Sequence, residues 1–130
     1  MQPETLGLLV DIRDAARFIV TDTADATYDE FLNDQRMRQA VLYSFLIIGE
    51  ALNRLRRRDP DIAEQISDLR QIVGMRNALI HRYDVTDYPI VWRAIHETLP
   101  ILREQIEELL PAEDREAHER PGRQIWHVFI

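Results

Sequence analysis

The segment LYSFLIIGEALNRLRRR, residues 42–58, decides the fold. Its first seven residues are nearly all apolar, and apolar residues then recur at helical spacing. This pattern predicts a long helix from about residue 34 to residue 57, at the centre of a helical bundle. The side chains predicted to face the core from this helix are Ala40, Val41, Tyr43, Leu46, Ile47, Ala51 and Leu55.

Gly49 and Glu50 are the two unusual residues inside this helix. A glycine in a helix interior costs about 1 kcal/mol relative to alanine, so we expect another helix or a partner to pass close to Gly49. Glu50 needs a partner if it is buried, because burial of an unpaired carboxylate is unfavourable. The sequence therefore predicts a close approach at this point of the helix.

Two helical segments are predicted before the central helix. The first is amphipathic and covers residues 5–21. Its apolar stripe consists of Leu9, Ile12, Ala16, Ile19 and Val20. Thr27 and Glu30 have the spacing of a capping box, in which each residue's side chain bonds to the other's backbone N–H. They predict a short helical turn that runs through Phe31.

A short connector and a second core helix are predicted after the central helix. Asp59-Pro60 ends the central helix, because the residue before a proline is disfavoured in helical conformation. A connector with one helical turn then leads to about residue 67. The next helix covers residues 68 to about 82. Its apolar stripe consists of Leu69, Ile72, Val73, Leu79 and Ile80.

The last long helix is predicted over residues 87–110, with Thr86 or Asp87 as its cap. Pro100 lies inside it and should kink or split it, because proline lacks the backbone donor and clashes with the preceding turn. Gly is rare and long β-forming runs are missing. The fold class is therefore all-α, an antiparallel bundle of four or five helices.

The length and composition indicate one soluble domain. The chain has 130 residues, of which 45% are hydrophobic and 30% charged. We assign residues 1–110 to the bundle and 111–130 to a polar tail with an apolar end, IWHVFI. No window of eighteen apolar residues predicts a membrane span, the N-terminus lacks a basic region typical of a secretion signal, and cysteine is absent. A cytoplasmic location is the expectation.

The charge pattern leaves two interpretations open. Net charge is −7, which argues against a general nucleic-acid coat protein, because non-specific binding depends on neutralising phosphates. However, all sixteen basic residues are arginines, several lie in the run Arg54–Arg58, and the acidic residues gather toward the chain ends. The basic middle could contact a phosphate, or it could be an ordinary solvated helix surface.

The stretch RNALIHRYD, residues 76–84, places four polar side chains of different chemistry in eight residues. An imidazole such as that of His81 can move a proton near neutral pH. The guanidinium of Arg76 offers a planar fork of donors that fits phosphate oxygens. Asn77 can hold a ligand or fix the imidazole tautomer, and Tyr83 can donate a hydrogen bond or stack on a base. This set fits RNA cleavage by transesterification.

The same stretch also has a purely structural interpretation. Cations near a helix C-terminus interact favourably with the helix dipole, and Asn77 could simply bond to His81 one turn away. Arg76 and His81 are five residues apart, about 140° around an ideal helix. They therefore need the reach of the arginine, a fraying helix end or a second chain to meet.

No metal site is predicted. The pair His96-Glu97 is not followed by the second histidine of a metalloprotease motif, and His118 and His127 lie in the tail. Trp92 and Trp126 are more typical of a core or an interface than of ligand stacking.

GMRNALIHRYD, residues 74–84, resembles the Arg-x4-His signature with following x-Tyr of HEPN domains, in particular the HepT-like toxins. DEFLNDQRMRQAVLYSFLIIGEALNRL, residues 29–55, resembles the preceding long helix of that family, with its Ile-Gly-Glu-Ala element at residues 48–51. DYPIVWRAIHETLPILREQIEEL, residues 87–109, is similar to the closing helix of the family. The resemblance covers about residues 5–110.

This resemblance implies a bundle that dimerises through its motif-bearing helices, so that motifs from both protomers face one cleft. It implies a metal-independent endoribonuclease without a cofactor, the toxin of a toxin–antitoxin pair. The antitoxin partner would be a minimal nucleotidyltransferase that can transfer AMP to the motif tyrosine. Carried over to this chain, Arg76 and His81 would be catalytic, Asn77 supporting, and Tyr83 supporting and the modification target.

Two further residues and one alternative function remain as hypotheses. Glu50 could orient Arg76 or His81, or could simply pair with a structural arginine. Arg82 lies at a position that the family leaves variable, and its charge could favour RNA binding. The acidic net charge favours the alternative function, a non-catalytic HEPN module that binds a nucleotide or a partner without cutting RNA.

Overall fold

The computed structural model describes residues 1–81 and 86–115. This part of the chain contains helices and no strands, which confirms the all-α prediction. The helices are α1 (Pro3–Thr23), α2 (Tyr28–Asn33), α3 (Gln35–Arg58), α4 (Pro60–Ala63), α5 (Leu69–His81), α6 (Tyr88–Arg93), α7 (Leu99–Leu109) and α8 (Ala112–Arg115). A π-helical segment, Ala94–Thr98, joins α6 to α7. Most of the predicted tail lies outside the described residues.

Helix α3 lies at the centre of the bundle, as predicted. Helices α1 and α5 both pack against it, and α7 packs against α1. Two helices cover α3, so its buried side chains form more than the single stripe that was predicted. The prediction was wrong for Ala40, Tyr43 and Leu46, which are only partly buried. The buried side chains of α3 are Val41, Ser44, Phe45, Ile47, Ile48, Ala51, Leu52 and Leu55.

Side-chain caps mark the beginning of α2, α3, α4 and α6. The capping box is confirmed: the backbone N–H of Glu30 donates to Thr27 Oγ1 at 3.2 Å, and that of Thr27 donates to Glu30 Oε1 at 3.0 Å. Asp34 accepts from the backbone N–H of Met37 at the start of α3. Of the two caps predicted for the last helix, Asp87 is the one that accepts a backbone N–H. Each cap satisfies a donor that the helix leaves unpaired.

The predicted last helix is split before Pro100 by the π-helical segment. The backbone N–H of Leu99 donates to the carbonyl of Ala94, five residues back. Pro100 then occupies the first turn of α7, where its missing N–H leaves no partner unsatisfied. The wider π turn therefore absorbs the proline without ending the helical path, and π turns inside helices are typically single-turn insertions of this kind.

A buried arginine joins the first helix to the last one described. The side chain of Arg13 is 3% exposed and forms an ion pair with Asp14, Nη2 to Oδ1 at 3.1 Å. Its Nη1 donates to the backbone carbonyl of Asp114 in α8 at 2.6 Å. This pair could not be identified from the sequence, because Arg13 and Asp14 interrupt an otherwise apolar stripe without forming a motif. They hold the end of the bundle against α1.

We predict that Arg13→Ala lowers the free energy of unfolding by about 3–5 kcal/mol, because it leaves the buried Asp14 carboxylate without its cation. Arg36→Ala is the control: Arg36 is exposed and has no partner among the residues that the structure describes, so a change within about 0.5 kcal/mol is expected. Urea unfolding of both variants measures the difference. Equal losses would contradict the structural role of Arg13.

Candidate functional site

Helices α3 and α5 approach closely at Gly49. A Cβ atom placed on Gly49 would lie 2.3 Å from the Cβ of Arg76 and 2.7 Å from its Cγ, far inside van der Waals contact. The backbone carbonyl of Ile72, one turn earlier on α5, would lie 3.5 Å away. The close helix crossing predicted at Gly49 is therefore confirmed, and the residue that it admits is Arg76.

We predict opposite effects for two glycine-to-alanine variants. Gly49→Ala should lower the free energy of unfolding by about 1–3 kcal/mol, because the stem of Arg76 must move to admit the methyl group. Gly74→Ala in α5 is the control: nothing lies within 4 Å of its added Cβ, and alanine should raise stability by roughly 0.5–1 kcal/mol. Thermal unfolding of the two variants measures both signs. A stabilised Gly49→Ala variant would show that the crossing can relax freely.

The Arg76 side chain is held on two sides. Its Nη2 atom lies 2.5 Å from Glu50 Oε2, and its Nη1 donates to Asn77 Oδ1 at 2.8 Å. Arg76 and Glu50 are 23% and 26% exposed, so the ion pair lies at the edge of the core and still faces solvent. Hydrogen bonds between ionised partners are short and directional. They fix the orientation of the Arg76 guanidinium.

Glu50 is shared between two arginines. Its Oε1 accepts from Arg54 Nε at 3.1 Å, one helical turn further along α3. Arg54 was not predicted to belong to the site. The signal for it is the spacing of four residues from Glu50 to Arg54, which makes a favourable ion pair on a helix. The contact makes Glu50 the junction between the candidate site and the arginine run at the end of α3.

The amide oxygen of Asn77 accepts from Arg76, and no Asn77–His81 hydrogen bond is present within residues 1–81 and 86–115. The sequence suggested a bond between Asn77 and His81, whereas the structure pairs Asn77 with Arg76. Asn77 itself is exposed. The bond from Arg76 is to the Asn77 amide oxygen, so the two N–H donors of the amide are available for other partners.

His81 is the last described residue of α5 and is exposed to solvent. It has no hydrogen-bond partner among the residues that the structure describes, and the contacts of Arg76 are with Glu50 and Asn77. Five residues and about 140° of helix separate the two side chains. The contacts of one chain therefore hold Arg76 in place but do not bring His81 to it. Arg82 and Tyr83 lie outside the described residues.

An apolar cavity of about 430 Å³ lies between α5 and α6, beside the candidate site. Its apolar lining includes Ile72, Met75, Leu79, Ile90, Val91 and Ala94. Ile90 is 50% exposed. Ile80, predicted as part of the core stripe of α5, is 45% exposed and does not line this cavity, because it lies about 100° around the helix from the buried Leu79. The exposed apolar side chain of the cavity is therefore Ile90.

The remaining side chains considered from the sequence have structural contacts. Trp92 is half-buried and packs against Phe31 and Tyr28, with ring centroids 5.1 and 5.7 Å away, as expected for a core residue. His96 Nδ1 donates to the Trp92 carbonyl at 2.9 Å. Trp126 lies outside the described residues. Over the described ranges, no three His, Asp or Glu side chains are grouped to hold a metal, and no helix has the length and apolarity needed to cross a membrane.

The bundle is all-α, and Gly49 and Glu50 of α3 meet Arg76 of α5, the helix that ends at His81. This is the architecture of a HEPN-like domain. The model of the family described as Ribonuclease HepT-like matches residues 10–109. The chain belongs to this family.

Curated relatives agree with this membership. The chain is 34% identical over 103 residues to "Putative RNase MJ1380" of Methanocaldococcus jannaschii, a match that covers 78% of this chain and 92% of the relative. It is 31% identical over 107 residues to "Putative RNase TTE0752" of Caldanaerobacter subterraneus subsp. tengcongensis, covering 81% and 93%. It is 32% identical over 105 residues to "Probable ribonuclease HepT" of Thermococcus cleftensis, covering 78% and 91%. No solved structure gives a significant match.

Proposed function

We propose that this protein is an endoribonuclease whose active site contains Arg76 and His81 and works without a metal ion. One observation carries the proposal: the α3–α5 crossing at Gly49 holds the Arg76 guanidinium in a fixed, solvent-facing position, on the helix that ends at an exposed His81. Membership of a ribonuclease family and relatives named as RNases support the same activity.

The chemistry follows from these two side chains. His81 takes the proton of the RNA 2′-hydroxyl, the 2′-oxygen forms a bond to phosphorus, and the bond from phosphorus to the 5′-oxygen breaks. The products are a 2′,3′-cyclic phosphate and a 5′-hydroxyl, which receives a proton as it leaves. Arg76 has five N–H donors, and its bonds to Glu50 and Asn77 use two of them. The others can stabilise the negative charge that grows on the phosphate oxygens.

Glu50 and Asn77 act in this proposal by positioning Arg76. The ion pair with Glu50 holds the guanidinium at the crossing, and the amide of Asn77 fixes its second edge. Arg82 and Tyr83 remain supporting candidates for RNA binding on the strength of the family motif alone.

The catalytic prediction concerns cleavage of a mixed RNA in the presence of EDTA. Wild type should cut, and His81→Ala should lose about 10²- to 10⁴-fold in rate, because it lacks the general base. His96→Ala is the control: it removes an equally exposed histidine whose contact is with Trp92 and should cut like wild type. Undiminished cleavage by a folded His81→Ala protein would disprove the role of His81.

We further propose that the active enzyme is a homodimer, or a larger homo-oligomer, that pairs its motif-bearing helices. Two observations support it: one chain does not bring His81 to Arg76, and Ile90, in the apolar lining of the cavity between α5 and α6, is 50% exposed. Exposed apolar surfaces of this kind mark interaction sites. A second copy seated there would place two motifs at one cleft.

Ile90→Glu should therefore yield a monomer that no longer cleaves RNA, since a carboxylate cannot be buried unpaired in an apolar interface. Ile101→Glu is the control, because Ile101 is 46% exposed on α7, away from this cavity. Light scattering coupled to size-exclusion chromatography measures the mass of each variant. A dimeric Ile90→Glu protein would place the interface elsewhere.

We propose that the protein acts in the cytoplasm as the toxin of a toxin–antitoxin pair, that a minimal nucleotidyltransferase neutralises it, and that Tyr83 is the residue to which AMP is added. The support is the family motif, in which Tyr83 follows His81 by two residues. If purified wild type does not cut RNA, its intact mass discriminates between a blocked toxin and a non-catalytic protein. A mass raised by one AMP indicates a toxin blocked at Tyr83.

A non-catalytic binding module is the second candidate function. The net charge of −7 favours it, because a polyanionic substrate is repelled by an acidic protein. It predicts unmodified wild-type protein that binds a nucleotide or a nucleotidyltransferase but leaves RNA intact.

A further inference from the structure

The positive charge of this acidic protein is concentrated on the two helices that form the site. Helix α3 carries six arginines and one acidic residue, Glu50, and α5 carries two arginines and no acidic residue. The rest of the chain therefore has a larger negative charge than the total of −7 indicates. A polyanion that reaches Arg76 is attracted to this one part of the surface and repelled by most of the remainder.

Three of these arginines extend the site along α3. Arg54 lies one turn beyond Glu50, and Arg57 and Arg58 follow three and four residues later, so all share one face of the helix. We call Arg54, Arg57 and Arg58 the arginine stripe. From Glu50 to Arg58 the helix rises about 12 Å, more than the spacing between neighbouring charges on a nucleic-acid strand.

The arginine stripe forms one wall of an open cavity of about 520 Å³ between α3 and α1. The opposite wall, from α1, consists of Glu4, Gly7, Leu8 and Asp11. Gly7 brings no side chain to this wall, which leaves space beside the arginines. The three guanidiniums outnumber the two carboxylates, so the cavity keeps an excess of positive charge.

The arginines of the stripe keep donors available for a phosphate. Arg57 forms no hydrogen bond or ion pair within the described part of the chain, and it is exposed. Arg58 pairs with Glu4, but these side chains are 47% and 63% exposed, and pairs so exposed to water are weak and exchangeable. Arg54 uses only Nε on Glu50, which leaves both terminal nitrogens free of that bond.

We infer that the arginine stripe binds the phosphate backbone of the RNA strand on one side of the scissile bond and guides it to Arg76. The inference rests on the proposed ribonuclease function and adds the path of its substrate. Arginine suits this role because its planar fork can contact two phosphate oxygens at once. Backbone contacts of this kind position a strand without reading its sequence.

The test uses full-length protein carrying His81→Ala, so that the probe, a fluorescein-labelled single-stranded RNA, stays intact. Adding Arg57→Glu should weaken binding roughly tenfold at low salt. It should also make the negative slope of log affinity against log salt shallower by about 0.7, the value for one phosphate contact on a single strand. In the catalytically intact protein, Arg57→Glu should raise KM for the same RNA more than it lowers kcat.

Arg36→Glu is the matched control. Arg36 lies at the other end of α3, is exposed like Arg57 and has no partner among the residues described, so its reversal changes net charge equally. Its RNA affinity should stay within twofold. Equal weakening by both variants, or none by Arg57→Glu while wild type binds and cuts RNA, overturns the inference and leaves the proposed function standing. A wild type that neither binds nor cuts RNA overturns both.

Discussion

Gly49 and Arg76 lie so close across the α3–α5 crossing that one additional carbon atom could not be accommodated between them. This contact sets the spacing of the two helices and the position at which the arginine leaves α5. Glu50, the residue after Gly49, forms an ion pair with the guanidinium at the far end of the Arg76 side chain. The packing of the bundle and the orientation of the candidate catalytic cation thus depend on the same pair of positions. Few changes at the crossing could alter one without altering the other.

Much of the fold could be predicted from the sequence because it rests on local patterns. Apolar spacing predicted α1, α3 and α5, and the Thr27–Glu30 capping box predicted α2. The exposed position of Ile80 could not be predicted, because periodicity identifies an apolar stripe but not the length over which a neighbouring helix covers it. The burial of Arg13 was equally hidden, since the carbonyl to which it donates, that of Asp114 in α8, is distant in sequence.

The candidate site was predictable in its members but not in its contacts. Gly49 required a close neighbour, and Arg76 was one of the partners considered for Glu50, but nothing in the sequence indicated that Arg76 would also be the neighbour of Gly49. The spacing of Asn77 and His81 suggested a bond between them, whereas the structure pairs Asn77 with Arg76. The angle between Arg76 and His81, by contrast, follows from helix geometry alone, and it separates the two side chains on one helix.

The π-helical segment before Pro100 adds one residue to the path of the last helix, compared with a continuous α-helix. One residue corresponds to a rotation of about 100° around the helix axis. The segment therefore changes which side of the helix faces the bundle. On α6, Trp92 contacts Phe31 and Val91 lines the cavity. On α7, Leu102 and Ile106 are buried in the core. A continuous α-helix through the same residues would rotate one of these two faces away from its neighbours, so the alignment of both halves depends on the wide turn between them.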